Sequence, residues 1–129
     1  MDTKTITFGG LVPYLFYDDA AEMLEWYSRV FGWTETGRWE EDGKVQNAEM
    51  RVGDTELWLD GGGRHYLVHD GTPHAAWVGV WVDDLDAMYE RVAAAGVTVE
   101  PPEEKPYGVR MLTVNDPAGY QWGFMTRTD

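Results

Sequence analysis

Apolar residues recur at helical spacing in two segments of the chain. From Asp19 to Gly32, the sequence DAAEMLEWYSRVFG places them three and four positions apart, as on one buried helix face. An Asp at the start, Glu22 three positions later and a closing Gly are typical helix boundaries. From Asp83 to Gly96, DDLDAMYERVAAAG repeats the pattern. The spacing therefore predicts two amphipathic helices.

Strand-like runs flank both predicted helices. LVPYLFY precedes the first helix and HAAWVGVWV precedes the second. Two or three further runs follow each helix, and Gly, Asp and Pro mark the turns between them. The predicted turns are Glu41-Asp42-Gly43, Val52-Gly53-Asp54 and Asp116 to Gly119. Each half of the chain thus reads as β-α-β-β-β.

The two halves repeat at a nearly constant spacing. Gly32 and Gly96 are 64 residues apart, close to half of the 129-residue chain, and Trp58 and Trp122 share that spacing on the last strand of each half. We predict an α+β fold of two β-α-β-β-β modules, at about 6–60 and about 75–127. The Gly-rich segment 61–74 is the predicted linker.

One strand predicts how a sheet is oriented. In residues 77–82, Val78, Val80 and Val82 alternate with Trp77, Gly79 and Trp81. Because successive side chains point to opposite faces of a strand, the valines belong under the helices and the tryptophans on the other face.

Composition and charge narrow the class of partner. The chain is 43% apolar and 26% charged, as in an ordinary globular domain. We expect a cytoplasmic protein, since the N-terminal residues lack a signal-peptide pattern and no window approaches 18 apolar residues. A net charge of −13 disfavours nucleic acid and membrane surfaces and attracts cations, although it also fits a solvated surface that keeps the protein soluble. The absence of cysteine excludes disulfides and thiolate chemistry.

The most specific segment is KPYGVRMLTVNDPAGYQWGF, residues 105–124. Its turn Asp116-Pro117-Ala118-Gly119 has an Asp that accepts backbone hydrogen bonds, a Pro with its φ preset, and a Gly suited to the exit. The segment predicts a β-hairpin. With Tyr107-Gly108 ahead of its first strand, it resembles the C-terminal hairpin of the vicinal oxygen chelate superfamily, which includes glyoxalase, extradiol dioxygenases and bleomycin-resistance proteins.

The resemblance extends over essentially the whole chain, including Val12-Pro13 and AWVGVWV. It implies that the two modules form a curled mixed sheet around a cup. It also implies a homodimer, which would cover open sheet edges.

Enzymes of this superfamily hold a divalent metal with His and Glu side chains from equivalent strands of the two modules. The resemblance places the matching positions at Val12, Trp77, Gly123 and either Glu56 or Trp58. One carboxylate cannot hold a catalytic divalent ion, which needs three or more ligands. The chain is therefore most similar to the bleomycin-resistance branch, and we expect no metal and no cofactor.

Three histidines offer an alternative metal site. His65, His69 and His74 lie in the Gly-rich linker, where an HxxxH spacing does not place two imidazoles on one helix face. Surface histidines are the favoured interpretation.

Aromatic residues supply the candidate binding surface. We assign Trp26, Trp33 and Trp122 to the core, and the other four of the seven tryptophans to the cup or its rim. Those rings either contact a ligand, fill the barrel or pack against a second subunit. The predicted ligand-binding residues are Val12, Tyr14, Phe16, Trp39, Glu56, Trp58, Trp77, Trp81, Tyr107 and Gly123.

These features favour a non-catalytic protein that captures a small aromatic or cationic compound, with antibiotics among the candidates. The first alternative is an enzyme. It would be a metal-independent lyase or isomerase that uses Glu56, Asp60 or Tyr14 as acid and base, or a metalloenzyme whose ligands lie at other positions. A second alternative is an accessory protein whose tryptophans meet a protein partner.

Overall fold

The structure is a computed structural model that describes residues 5–62 and 77–128. His65, His69 and His74 lie outside the described residues, as does most of the predicted linker. None of the helices within these two ranges has the length and apolar character needed to cross a membrane.

Each half of the chain forms one helix and one four-stranded sheet. The elements of the first half are β1 (Tyr14–Phe16), α1 (Ala20–Trp26), β2 (Thr34–Glu41), β3 (Lys44–Val52) and β4 (Thr55–Asp60). Those of the second are β5 (Trp77–Trp81), α2 (Leu85–Ala94), β6 (Glu103–Lys105), β7 (Val109–Asn115) and β8 (Gln121–Arg127). We call β1 to β4 the first sheet and β5 to β8 the second sheet. The α+β fold of two β-α-β-β-β modules is confirmed.

The two sheets share one topology. Their strand orders are β1-β4-β3-β2 and β5-β8-β7-β6. In each sheet the first strand runs parallel to the last, and the remaining pairs are antiparallel. The predicted turns at Asp42-Gly43 and Gly53 have positive φ angles of 53°, 78° and 60°. Only a left-handed turn backbone of this kind closes these tight hairpins.

The helix caps show that the modules repeat. Asp19 and Asp84 have nearly equal backbone angles, φ −134° and ψ 91° against φ −135° and ψ 92°. Each carboxylate accepts a hydrogen bond of 3.0 Å from an amide three residues later, that of Glu22 or Ala87. Helix α1 continues into a π-helical turn, Tyr27–Phe31, which ends at left-handed Gly32 as predicted.

The two helix N-caps, Asp19 and Asp84, are 65 residues apart, and this cap spacing corrects one part of the predicted repeat. The sequence pairs Trp58 with Trp122 at a spacing of 64, but their side chains lie on opposite faces of their sheets. Trp122 is buried in the core, whereas Trp58 pairs with Tyr14 on the face away from the core. At a spacing of 65, the partner of Trp58 is Gly123 and the partner of Val12 is Trp77.

A single core joins both modules. It contains the buried sides of α1, of the π-helical turn and of both sheets, and Trp26 and Trp122 belong to it as predicted. Trp33 and the three valines Val78, Val80 and Val82 are half-buried against it. Hence one face of each sheet is turned toward this core, and we call the opposite face the outer face.

A buried polar cluster also connects the modules. Asp116, the first residue of the predicted turn, accepts hydrogen bonds from the Tyr27 hydroxyl and from Trp122 Nε1, the latter at 2.8 Å. Its other oxygen accepts from the amides of Ala118 and Tyr120 at 2.9 and 3.0 Å. The predicted DPAG hairpin is confirmed, and its Asp is part of the core.

Candidate ligand-binding surfaces

The outer face of the first sheet gathers four predicted ligand residues. Strand pairing places Phe16, Asp60, Asn47 and Trp39 in one row across the sheet. The next row contains Tyr14, Trp58 and Glu49. Aromatic and carboxylate side chains therefore share one surface.

Tyr14 is at the centre of this surface. Its ring centroid lies 5.5 Å from that of Phe16 and 5.9 Å from that of Trp58. Its hydroxyl donates to Asp60 Oδ2 at 3.1 Å and accepts from Asn47 Nδ2 at 2.6 Å. These contacts hold three rings within the distance range of favourable aromatic pairs.

Three carboxylates border the same rings. Asp60 is only 3% exposed and also accepts from the amide of Gly62 at 2.9 Å. Glu49 is half-buried beside Trp58, its cross-strand partner. Glu56 is exposed and accepts from Trp58 Nε1 at 3.4 Å. The surface therefore combines aromatic rings with carboxylates, and the exposed Arg51, the cross-strand partner of Glu56, lies at its end.

The outer face of the second sheet is built differently. At the positions equivalent to Tyr14 and Trp58 it has Gly79 and Gly123, which pair directly across β5 and β8. The indole of Trp77 lies over both glycines. A Cβ on Gly123 would lie 2.1 Å from Trp77 Cζ2, and one on Gly79 would lie 3.0 Å from Trp77 Cη2. Only residues without side chains leave room for this ring.

Trp81 lies farther along the same face and has a cationic partner. The guanidinium carbon of Arg127 is 4.3 Å from the centroid of the Trp81 ring. This distance is within the range of a cation-π contact. Arg127 therefore occupies one face of a ring that the sequence assigns to a ligand.

Two predicted residues lie outside the strands, Val12 just before β1 and Tyr107 between β6 and β7. Val12 and Tyr107 are exposed and make no ring contact with the other candidate rings in the described ranges. Trp39 is exposed at the end of its row. The ring contacts that the structure describes also join none of Tyr14, Phe16 and Trp58 to Trp77 or Trp81.

A cavity of about 490 Å³ borders both sheets. Residues 52–57 and 78–81 line it, so Glu56 and Trp81 share one space. The volume falls in the range of small-molecule sites. Its deeper wall, however, is core: Leu57 and Trp122 are buried, so little of that apolar surface is accessible to a ligand.

The structure bears on the choice between Glu56 and Trp58 at the fourth position that the resemblance equates with a metal ligand. The spacing of 65 selects Trp58 over Glu56 as the partner of Gly123. A longer side chain at position 123 would collide with Trp77. Within residues 5–62 and 77–128, no three His, Cys, Asp or Glu side chains are grouped so that they could bind a metal.

Sequence reasoning missed three residues of these surfaces: Asn47, Glu49 and Arg127. The first two lie on β3, where apolar positions do not alternate regularly because Val45 and Ala48 are both buried. Arg127 lies at the end of β8, and its contact with Trp81 depends on the parallel pairing of β5 with β8. Because Arg127 is four positions after Gly123 on β8, strand alternation places both residues on one face.

Comparison with known proteins finds one family and several related structures. The model of the Glyoxalase/Bleomycin resistance protein/Dioxygenase superfamily matches residues 8–124. An uncharacterised protein of Mycobacterium tuberculosis H37Rv is 33% identical over 122 residues, which cover 87% of this chain and 71% of that protein.

Two solved structures are similar over nearly their whole length. TioX from Micromonospora sp. ML1 has a TM-score of 0.76 and 30% identity, covering 93% of this chain and 99% of its own. The bleomycin-binding protein of Streptomyces verticillus, solved with copper(II)-bleomycin, has a TM-score of 0.68 and 27% identity, covering 93% and 97%.

Proposed function

Because the chain belongs to the Glyoxalase/Bleomycin resistance protein/Dioxygenase superfamily, we propose that it is a binding protein that captures a small aromatic or cationic compound without a metal. The observation that carries this proposal is the outer face of the first sheet. There, Tyr14, Phe16, Trp39 and Trp58 share a surface with Asp60, Glu49 and Glu56. Rings and carboxylates together suit a flat or positively charged molecule.

The expected energies of the individual contacts are consistent with measurable ligand affinity at this surface. Each aromatic contact with a ring or cation contributes about 0.5–2 kcal/mol. Micromolar binding requires about 8 kcal/mol. Burial of apolar ligand surface and attraction between opposite charges must therefore add to the ring contacts. Glu49 and Glu56 supply charge at contact distance. The net charge of −13 adds a longer-range attraction for cations, which salt screens beyond about 8–10 Å.

The ligand class also draws on the related structures. The bleomycin-binding protein of Streptomyces verticillus was solved in complex with copper(II)-bleomycin. At 27% identity, that likeness supports an antibiotic such as bleomycin as a ligand candidate for this chain.

A homodimer is part of the proposal. Ile6, Phe8 and Leu11, which precede β1, expose 74%, 88% and 93% of their surface. In the described part of the chain, β5 pairs only with β8, so its other edge is open. An apolar segment and an open, uncharged strand edge both favour association with a second copy.

Ligand titration tests the proposed function. We would titrate the full chain with metal-free bleomycin, ethidium and proflavine and follow heat release by calorimetry. The expected result is saturable binding at about one ligand per chain for at least one compound. Trp39→Ala should weaken that binding roughly 3- to 30-fold, which corresponds to about 0.6–2 kcal/mol.

Tyr107→Ala is the matched control. Tyr107 is about as exposed as Trp39, at 65% against 61%, but lies outside the first-sheet surface. Its variant should retain wild-type affinity. Equal losses in both variants, or no saturable binding by any of the three compounds, would contradict the proposal.

An enzyme is the second candidate, and one contact favours it. The Tyr14 hydroxyl and the buried Asp60 carboxylate lie 3.1 Å apart, a distance suitable for acid-base chemistry. The hydrogen bond described for Glu56 is a long one, 3.4 Å from the Trp58 indole, so Tyr14 and Asp60 are the better pair. Turnover in a metabolite screen that disappears in Tyr14→Phe, while Trp39→Ala retains it, would support catalysis over capture.

A further inference from the structure

We propose that the outer face of the second sheet is a separate binding site for an aromatic carboxylate, in which Arg127 binds the acid and Trp77 binds the ring. This site goes beyond the cation-binding surface of the first sheet and has the opposite charge preference. It rests on three features: the orientation of Arg127, the free face of Trp77, and the spacing between them.

Arg127 presents its hydrogen-bond donors to solvent. Its guanidinium carbon lies 4.3 Å from the centroid of the Trp81 ring, and the residue is exposed. A guanidinium has five N–H donors in a fixed planar fork, and a contact of its carbon with one ring leaves donors for a carboxylate. Ion pairs between described residues use Arg29, Arg38, Lys105 and Arg110, and none involves Arg127. A carboxylate can therefore approach it edge-on with two parallel hydrogen bonds.

Trp77 offers the surface for a ring. Its indole lies against the backbone of Gly79 and Gly123, yet the residue is still 45% exposed. One face of the indole is thus covered by the sheet and the opposite face is open. The glycines hold the ring flat, so a ligand that stacks on it does not have to order a freely rotating side chain first.

Strand geometry sets the size of the ligand. Every second residue of β8 points to the same face, so Gly123, Met125 and Arg127 share one face. Met125 is the cross-strand partner of Trp81. Residues two apart on a strand are about 7 Å apart, so Arg127 lies about 13 Å along the strand from the position under Trp77. The Arg127 side chain leans back over Trp81, which shortens this span. A ligand with two linked or fused rings and a terminal carboxylate fits it.

Local charge decides the preference despite the acidic chain. The net charge of −13 repels an anion at long range, but at physiological salt this repulsion is screened beyond about 8 Å. Arg127 is the described cation in contact with a ring of this face. Lys105 lies in the same cross-strand row, two strands away, and is paired with Glu103 at 3.4 Å. Arg127 therefore supplies the positive charge in contact with the Trp81 ring, whereas Glu56 lines another part of the cavity that Trp81 borders.

Three compounds of one shape test the site. Calorimetric titration of the full chain would compare biphenyl-4-carboxylate, neutral biphenyl-4-carboxamide and cationic 4-phenylbenzylamine at 0.15 M salt. We expect the carboxylate to bind at least tenfold more tightly than the carboxamide. Arg127→Gln should reduce that ratio below threefold while the carboxamide affinity changes less than twofold. Trp77→Ala should weaken the carboxylate and the carboxamide alike, by at least fivefold.

Lys44→Gln is the matched charge control. Lys44 is exposed at the β2–β3 turn, far in the sequence from β8, and its variant changes the net charge by the same amount as Arg127→Gln. The carboxylate preference should survive in this variant. Equal affinity for carboxylate and carboxamide in the wild type, tighter binding of the amine that Trp77→Ala weakens and Trp39→Ala does not, or an equal effect of Lys44→Gln and Arg127→Gln would overturn the site. Trp39→Ala should leave the carboxylate affinity unchanged, so the two proposed sites can fail independently.

Discussion

Tyr27 and Asp116 are 89 residues apart in sequence, yet the Tyr27 hydroxyl donates a short hydrogen bond to the Asp116 carboxylate inside the core. The contact joins the π-helical turn of the first module to the hairpin of the second. The Tyr27 and Tyr17 hydroxyls share a hydrogen bond of 2.8 Å, and the Tyr120 hydroxyl donates to the Phe16 carbonyl at 2.9 Å. Two halves that repeat in sequence are thereby fixed to each other by polar contacts that do not repeat.

Replacing the central carboxylate should strongly destabilise the protein. Asp116→Ala removes the acceptor for four donors, namely Tyr27, Trp122 and two backbone amides. An unsatisfied buried donor costs about 1–3 kcal/mol, so we expect a loss of at least about 3 kcal/mol in the free energy of unfolding, measured by urea denaturation. Asp84→Ala, which removes only a helix cap, should cost about 1 kcal/mol. Similar losses in the two variants would contradict a central role for Asp116.

Alkaline pH should unfold the protein through its buried tyrosines. Burial raises the pKa of Tyr17, Tyr27 and Tyr120 above the usual value of 10.0. In the unfolded state these groups ionise near pH 10, whereas in the folded state they stay protonated. Their contribution to stability is therefore complete below pH 10 and is lost as the pH rises above it, by up to about 1.4 kcal/mol per pH unit for each group.

Two measurements check this pH dependence. Absorbance of tyrosinate near 295 nm should show some tyrosines that ionise only when the protein unfolds. The free energy of unfolding between pH 8 and pH 11.5 should fall less steeply in Tyr27→Phe than in the wild type. A parallel decline in both proteins would argue against the buried tyrosines as the cause.

Position 123 should tolerate only glycine while Trp77 is present. A Cβ there would lie 2.1 Å from the Trp77 indole, so Gly123→Ala must displace the ring. Overpacking of this kind costs about 1–3 kcal/mol. In a Trp77→Ala background the same substitution should cost much less, and a double-mutant cycle measures the difference. Additive losses would show that the ring does not occupy this space.

The purified protein should lack a stoichiometric divalent metal. Val12, Trp58, Trp77 and Gly123 occupy the positions that the superfamily resemblance assigns to metal ligands, and none can coordinate an ion. Elemental analysis should find well below one zinc, nickel, iron or manganese per chain. Stoichiometric metal that survives dialysis would favour the enzyme alternative, with ligands at other positions.

The N-terminal segment should stabilise the proposed dimer. Phe8→Ser with Leu11→Ser removes two highly exposed apolar side chains from each copy. We expect the dimer dissociation constant, measured by analytical ultracentrifugation, to rise by at least tenfold. Thr5→Ala with Thr36→Ala alters exposed polar residues and serves as control. A wild type that is monomeric at high concentration would contradict the dimer itself.

Much of the architecture could be predicted from sequence because the relevant signals are local. Helix caps, glycine stops and turn residues act within four positions, and they located both helices and all three turns. The alternation of Val78, Val80 and Val82 with Trp77 and Trp81 set the orientation of β5. The predicted assignment of Trp26 and Trp122 to the core is confirmed by their burial.

Side-chain neighbours across strands could not be predicted, because they depend on register. Trp58 and Trp122 match at a spacing of 64, but a difference of one residue from the cap spacing of 65 turns their side chains to opposite faces. Gly79 and Gly123 form one contact surface for the Trp77 indole only because β5 and β8 pair in parallel and place the two glycines side by side. Sequence by itself determined the elements, their repetition and the family. Only the tertiary structure decided which aromatic rings share a surface, because strand pairing brings together residues from distant parts of the chain.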